Sequence, residues 1–165
     1  MAQSQVNKYL LQQLAAITCL TAEHPKRSIS VLTLVYCGLD QFSWLNTDKD
    51  RHGFTEFKAW VDKYIYPYHQ LNCNAEELWA ARNGIVHMGT AESDKTRKGV
   101  AKIGYTFGSG PHAENITEYK LVSEELLVQA FIEGASLFIK DLTLDHEKHE
   151  QAKEKLKKVL ILQFN

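Results

Sequence analysis

Residues 28–46 form the most apolar stretch of the chain, and they constrain the fold more than any other segment. As a helix, this stretch would be apolar almost all the way round, and such a helix is stable only where other elements enclose it. A membrane span needs about 20 predominantly apolar residues, whereas Asp40 and Gln41 interrupt this stretch. We therefore predict a buried helix at the centre of a bundle. Its apolar members are Ile29, Leu32, Val35, Tyr36, Leu39, Phe42, Trp44 and Leu45.

Helical periodicity dominates the rest of the chain. Apolar residues recur at spacings of three and four, as one face of an amphipathic helix requires, over 5–23, 54–65, 75–88 and 123–144. The predicted fold class is all-α, an up-and-down bundle of four to five helices. With 165 residues the chain can build one domain with its own core. We place this single domain at 1–165, with 146–165 as a charged C-terminal helical extension.

The helix at 75–88 has recognisable end signals. Asn74 stands where an N-cap is needed, and Glu77 follows three residues later, in the position that completes a capping box. Gly89 stands directly after the last periodic residue, where helices commonly end in the left-handed conformation. The helix is therefore expected to begin and end at these residues.

Residues 90–122 differ from the rest, since four glycines fall between 99 and 110. The segment VAKIGYTF alternates like a strand, and GSGPH is typical of a turn. We expect a long loop or a small hairpin between the fourth and fifth helices, with any strand confined to 99–107. Loops of this length are usually functional or mobile.

Composition limits the function classes. Nineteen basic and twenty acidic residues give a formal net charge of −1, so binding of nucleic acid would depend on a local patch. The three cysteines, Cys19, Cys37 and Cys73, are far apart and form no CxxC motif; we interpret them as reduced thiols. The first residues, MAQSQVNKYLLQQ, lack the pattern of a signal peptide. A cytoplasmic protein that does not enter a membrane is expected.

Several apparent motifs carry little weight. His146 and His149 stand three residues apart in DHEKHE, which is not the HExxH spacing of a metallopeptidase, and a solvated charged face is favoured. GSGP neither follows a strand nor opens a helix as a dinucleotide loop does. Cys73 precedes a helix without an evident histidine partner. The aromatic side chains of the third helix (Phe57, Trp60 and Tyr64) are expected in the core. We predict no metal site and no cofactor.

The segment AARNGIVHMG, residues 80–89, combines apolar and polar functions in one helix. At 100° per residue, one face carries Leu78, Ala81, Ile85 and Met88, and the opposite face carries Glu76, Asn83 and His87. Asn83 and His87 are four residues apart and hence neighbours. Arg82 lies about 140° from His87 by the same rule. The two can cooperate only through the long stem of the arginine or through a partner surface that closes over the polar stripe. The alternative is a solvated stripe with an incidental histidine.

The pattern Arg82-Asn83-x-x-x-His87 resembles the Rx4–6H motif of the HEPN superfamily, including a polar residue directly after the arginine. The motif lies near the end of a helix that a long helix follows, and the resemblance covers roughly residues 5–145. The segment ELWAARNGIVH also looks like standalone bacterial proteins of this type, in many of which the position of Asn83 is a cysteine.

The resemblance implies a bundle of four or five helices, usually a homodimer whose two motifs face each other across a cleft. Active members are metal-independent endoribonucleases, so Arg82, Asn83 and His87 become the predicted catalytic residues. His87 would take the proton of a ribose 2′-OH, and Arg82 would hold the phosphate through its forked donors. Asn83 would orient the histidine or contact the phosphate. RNA would be the substrate because DNA lacks the 2′-OH.

Two other functions remain open at this level. Many members of the superfamily are not nucleases, and the chain could instead be a non-catalytic module whose polar stripe binds a nucleotide or a protein. Others are the toxin half of a two-gene module, which implies an antitoxin-like protein partner. A plain structural dimer without a ligand is the third alternative. The near-neutral charge favours the binding module and the plain structural dimer, whereas the intact Arg-Asn-His set favours the nuclease.

Overall fold

The computed structural model describes residues 4–23, 29–106 and 119–159. Within these ranges the chain forms seven helices and a two-stranded sheet. In chain order the elements are α1 (Gln5–Glu23), α2 (Ile29–Leu45), α3 (Phe54–Tyr64), α4 (Ala75–Met88), α5 (Asp94–Arg97), β1 (Lys102–Thr106), β2 (Tyr119–Ser123), α6 (Glu124–Leu144) and α7 (His146–Val159).

The central position predicted for the apolar helix is confirmed. Helix α2 packs against five other helices, namely α1, α3, α4, α6 and α7. Its residues Tyr36, Leu39 and Phe42 are fully buried. The Phe42 ring lies 5.5 Å from Phe131 and 6.1 Å from Trp60, centroid to centroid, in edge-to-face geometry. Aromatic contacts of this kind add to the free energy that the buried area itself supplies.

The five helices of the predicted bundle, α1, α2, α3, α4 and α6, follow the predicted bounds to within one residue at each end. The predicted bundle of four to five helices is nevertheless too simple, because the described residues also contain the short helix α5, the separate helix α7 and a sheet. Residues 160–165 of the predicted C-terminal extension lie outside the described residues. None of the described helices combines the length and apolar character that crossing a membrane requires.

The prediction for residues 90–122 is partly wrong. Strand β1 lies inside the expected 99–107, but β2 occupies 119–123, and the two strands are parallel, with Lys102 opposite Tyr119. Parallel strands cannot be joined as a hairpin. The pairing is favoured by burial, since Ile103 and Val122 are almost completely enclosed. The turn predicted at GSGPH, residues 108–112, lies outside the described residues.

Helix α7 packs on the bundle through one face. Ala152 and Leu156 are fully buried, and Lys155 is only 4% exposed. The Lys155 Nζ donates hydrogen bonds to the backbone carbonyls of Trp44, at 2.7 Å, and of Thr47. These carbonyls lie at the C-terminal end of α2, where helical carbonyls lack partners and a cation is favourable. The charged extension is therefore anchored to the central helix.

Candidate functional site

Helix α4, which carries the predicted site, begins and ends at the predicted caps. The Asn74 Oδ1 accepts a hydrogen bond from the Glu77 backbone N–H at 3.0 Å, and the Glu77 carboxylate accepts one from the Asn74 N–H at 2.9 Å. Gly89 adopts the left-handed conformation, with φ +62°. Glu77 also forms an ion pair with Lys120 of β2 at 2.7 Å. Both ends of the helix are thus fixed.

Gly84, inside the motif segment, allows the chain to fold back over α4. A Cβ atom at this position would lie 2.7 Å from the Glu92 carbonyl oxygen and closer still to that of Thr90. The Thr90 N–H donates to the Gly84 carbonyl at 3.3 Å. Because only glycine permits this approach, the segment that follows the helix returns across it. Helix α5 is thereby placed beside Asn83 and His87.

Arg82, Asn83 and His87 are connected within one chain. The Arg82 Nη1 donates a hydrogen bond to the Asn83 Oδ1 at 2.7 Å and lies 3.1 Å from the His87 Nε2. The long arginine stem therefore bridges the angular separation, and contact between the two residues needs no second chain. Asn83 and His87 are linked indirectly, because both contact the Arg82 Nη1.

The contact with Arg82 defines the role of the His87 ring nitrogens. A guanidinium can only donate hydrogen bonds, so the His87 Nε2 accepts. In the neutral imidazole the proton then lies on Nδ1. The basic lone pair of His87, whose side chain is exposed, points at the arginine.

Asp40 of α2 is a site residue that was not predicted. Its Oδ2 accepts a hydrogen bond from the Arg82 Nε and also lies in ion-pair contact with Nη2. The two side chains are only 16% and 18% exposed. The signal was present in the sequence, because Asp40 is an acid inside an otherwise apolar helix.

The carboxylate of Asp40 is incompletely satisfied. Its second oxygen, Oδ1, is buried and has no hydrogen-bond partner in the described part of the chain. Burial raises the pKa of Asp40, and the hydrogen bonds and charge of Arg82 oppose this effect. Incomplete satisfaction of a buried charge costs free energy. The pair is therefore a polar defect in the packing between α2 and α4.

A second histidine lies next to this pair. The His52 Nε2 is 2.6 Å from the Ser43 Oγ, which donates its own proton to the Leu39 carbonyl at 2.6 Å. His52 therefore donates through Nε2. Burial lowers the pKa of His52. The indole of Trp79 contacts both His52 and Arg82. Its ring centroid lies 5.7 Å from that of the His52 ring and 5.1 Å from the Arg82 Cζ.

The polar face of α4 opens into a cavity of about 410 Å³. It is lined by Asn83, His87, Ser93, Asp94 and Arg97. A larger cleft of about 660 Å³ lies between the end of α2, α3 and the start of α7, and its lining includes none of the predicted site residues. The smaller cavity is therefore the one onto which Asn83 and His87 open.

The weaker candidates stay apart from this site. His149 lies beside Glu150 on α7, at 3.4 Å, and no group of three or more metal-ligating residues occurs among the residues that the structure describes. Burial raises the pKa of Cys73 to about 12, so this thiol is not a stabilised thiolate. The prediction that Phe57, Trp60 and Tyr64 belong to the core is confirmed. The three cysteines are free thiols.

The chain matches no protein-family model, and comparison with curated proteins and with solved structures gives no match either. The function must therefore be inferred from the geometry of the site.

Proposed function

We propose that this protein is a HEPN-like, metal-independent endoribonuclease that cleaves RNA through attack of the 2′-OH on the neighbouring phosphate. One observation carries the proposal: the Arg82 Nη1 holds both the Asn83 Oδ1, at 2.7 Å, and the His87 Nε2, at 3.1 Å, at the edge of an open cavity. A basic ring nitrogen can serve as the general base of this reaction, and a cation can stabilise the charge that develops on the phosphate.

His87 is the general base in this mechanism. When RNA binds, the Arg82 Nη1 contacts the phosphate in place of the His87 Nε2, while Asp40 keeps its contact with the Nε side of the guanidinium. The His87 Nε2 then becomes available to the ribose 2′-OH. Nε2 takes the hydroxyl proton while the 2′-oxygen forms a bond to phosphorus. The bond from phosphorus to the 5′-oxygen breaks, and this oxygen takes up a proton from solvent. The products are a 2′,3′-cyclic phosphate and a 5′-hydroxyl, and no cofactor is consumed.

Arg82 and Asn83 prepare the site for this step. Asp40 binds the Nε side of the guanidinium and fixes its plane, so that Nη1 stays directed toward the cavity. The guanidinium offsets the negative charge that develops on the phosphoryl oxygens. Asn83 keeps Nη1 aligned before substrate arrives. Preorganised donors of this kind stabilise a transition state without rearranging during the reaction.

A non-catalytic binding module is the second candidate, and one observation favours it. The lone pair of His87 is already engaged by Arg82, whose charge is offset by Asp40. A network that stays closed would recognise a nucleotide or a protein without accepting a proton. In the nuclease His87 takes part in the reaction, whereas in the binding module it contributes only to binding of the ligand.

Purified protein tests the proposal by cleavage of single-stranded RNA in the presence of EDTA. We expect products that end in 2′,3′-cyclic phosphate, and we expect His87→Ala to lower the rate by about 10²–10⁴-fold, as loss of a general base does. Arg82→Lys should be severely impaired, because a compact ammonium does not replace a planar fork. Both variants should remain folded. His149→Ala, on α7, is the matched control and should cleave normally.

Cleavage that survives His87→Ala, or that requires added magnesium, would contradict the mechanism. Binding of RNA that His87→Ala weakens, without any cleavage by the wild type, would support the binding module instead.

We also propose that the functional unit is a homodimer, since the resemblance implies two motifs facing a shared cleft. Light scattering at micromolar concentration should give twice the mass of the 18.8 kDa chain. A monomer mass at this concentration would contradict the homodimer. An antitoxin-like partner is a further proposal of the same resemblance.

A further inference from the structure

We propose that Arg97, on the short helix α5, is the residue that binds the RNA backbone phosphate at this site. The inference rests on the proposed function. It assigns substrate binding to a residue outside the Arg-Asn-His motif. Arg97 lines the same cavity as Asn83 and His87. Arg82 then reaches the phosphate only after Arg97 has bound it, and serves mainly to offset charge during the reaction.

The donors of Arg82 are largely occupied. Of its five N–H groups, the one on Nε and one on Nη2 face the Asp40 carboxylate, and the two on Nη1 face Asn83 and His87. One N–H remains for a phosphate unless existing contacts break. The charge of Arg82 is also offset by Asp40. A guanidinium in this state is a poor first contact for an incoming anion.

Arg97 has the opposite properties. Its side chain is 64% exposed, and its ion pair with Asp94, at 3.4 Å, involves a carboxylate that is 89% exposed. Exposed pairs of this kind contribute little free energy, so a phosphate can replace Asp94 readily. The planar fork of the arginine then binds two phosphate oxygens at once.

The backbone that carries Arg97 is well defined. The Ser93 Oγ accepts a hydrogen bond from the Thr96 N–H at 3.3 Å, and the Thr96 Oγ1 accepts one from the Ser93 N–H at 2.9 Å. Ser93 is 2% exposed, and the segment before it crosses α4 at Gly84. These contacts hold Arg97 at the mouth of the cavity before RNA arrives.

The local charge supports an anionic ligand. Residues 95–102 contain four basic residues and no acidic one, in a chain whose net charge is −1. Lys95 and Lys102 are paired with Glu76 and Glu92. Because these two lysines and Arg97 each pair with an acidic residue, the segment and its partners keep an excess of one positive charge. Its attraction for an RNA backbone is therefore local and modest. A backbone contact of this type positions RNA without reading its sequence.

The test measures binding of a short fluorescent 2′-O-methyl RNA, which keeps the phosphates and cannot undergo 2′-OH attack. Arg97→Ala should weaken binding roughly 10-fold or more and lower the slope of log affinity against log salt by about one. Arg97→Lys should restore part of the affinity, since the charge returns without the fork. With cleavable RNA, Arg97→Ala should raise KM much more than it lowers kcat.

Lys98→Ala is the matched control, because it removes one charge from the adjacent exposed residue, which does not line the cavity. We expect the affinity of this variant for the RNA to stay within about twofold of the wild type, because an exposed charge outside the site contributes little free energy. Equal losses for Lys98→Ala and Arg97→Ala would overturn the proposal, and so would a wild-type protein that fails to bind the oligonucleotide. Selective weakening by Arg97→Ala without any RNA cleavage would refute the nuclease and retain Arg97 as the binding residue.

Discussion

The two sides of helix α2 differ in how completely the rest of the chain satisfies them. Phe42 faces the core, is fully buried, and has the rings of Phe131 and Trp60 at 5.5 and 6.1 Å. Asp40, two residues earlier and therefore about 200° round the helix, faces α4. Its Oδ2 is bound by Arg82, and its Oδ1 is buried without a hydrogen-bond partner among the described residues.

Within this one helix, the aromatic side contributes mainly to stability and the polar side mainly to the proposed function. The aromatic side is closed to solvent in the free protein, although the Trp60 Nε1 is buried there without a hydrogen-bond partner among the described residues. The polar side keeps an incompletely satisfied carboxylate, an engaged arginine and an open cavity, although apolar packing there would be more stable. Local departures of this kind are expected at functional sites. The α2–α4 edge should therefore respond to substitution mainly in activity and the α2–α3–α6 core mainly in stability.

The largest expected loss of stability comes from Phe42→Ala. Removing the ring leaves a cavity among closely packed aromatic side chains, which typically lowers the free energy of unfolding by about 3–5 kcal/mol. Urea unfolding followed by circular dichroism measures it. Phe54→Ala is the control, since Phe54 is only partly buried and should cost clearly less. If Phe42→Ala lowered the free energy of unfolding less than Phe54→Ala does, the aromatic side of α2 would not be the main source of stability.

Gly84→Ala should come next. The added methyl group would meet the backbone oxygens of Thr90 and Glu92, and overpacking of this kind costs about 1–3 kcal/mol. Because α5 is displaced, RNA binding should fall as well. Gly53→Ala is the control, since its methyl group would meet only the Glu56 Oε2, at 3.6 Å. If Gly84→Ala were as stable and as active as Gly53→Ala, the close approach would not matter.

Asp40→Asn should affect activity more than stability. It leaves the Arg82 charge without a counter-ion, which we expect to cost about 1–2 kcal/mol of unfolding free energy, while the loosened guanidinium lowers the cleavage rate. Asp62→Asn is the control, because the Asp62 pair with Lys58 has side chains 43% and 51% exposed and exposed pairs contribute little. Full activity of Asp40→Asn would show that the arginine needs no anchor.

The smallest effect concerns the pH dependence of stability through His52. Its pKa is lowered by burial, so the unfolded chain binds a proton more readily than the folded one. Stability should therefore be unaffected well above the ordinary histidine pKa of about 6.5 and should fall as the pH drops below it. Urea unfolding at pH 7.5 and at pH 5.5 measures the difference. His52→Gln should reduce this difference, whereas His146→Gln, at an exposed position of α7, should retain it.

The long helices could be predicted from sequence because their signals are local. Apolar spacing defined the faces, and Asn74, Glu77 and Gly89 marked the ends of α4 within a few residues of chain. Strand β2 could not be predicted in the same way. Its pairing with β1 is a contact between segments that are separate in sequence. Its five residues also directly precede α6, so they resemble the segment that leads into a helix. Local periodicity does not specify the partner or the direction of a strand.

The candidate site was predictable only in part, for the same reason. Arg82, Asn83 and His87 stand within six residues, so their proximity follows from helical geometry and the length of the arginine. Asp40 is 42 residues away from Arg82 in sequence, and only the packing of α2 against α4 joins them. The position of Arg97 depends on the return of the chain at Gly84, which the sequence shows as an ordinary helical glycine.

Cleavage of a DNA strand that contains one ribonucleotide tests the central claim most directly. The ribonucleotide is placed in turn before each of the four bases, and the products are mapped in EDTA. The proposed site predicts a cut only at the phosphate that follows the ribonucleotide, with a 2′,3′-cyclic phosphate end, and no cut with His87→Ala. Cleavage of the all-DNA strand, or products that end in a 3′-hydroxyl, would contradict 2′-OH attack at Arg82, Asn83 and His87.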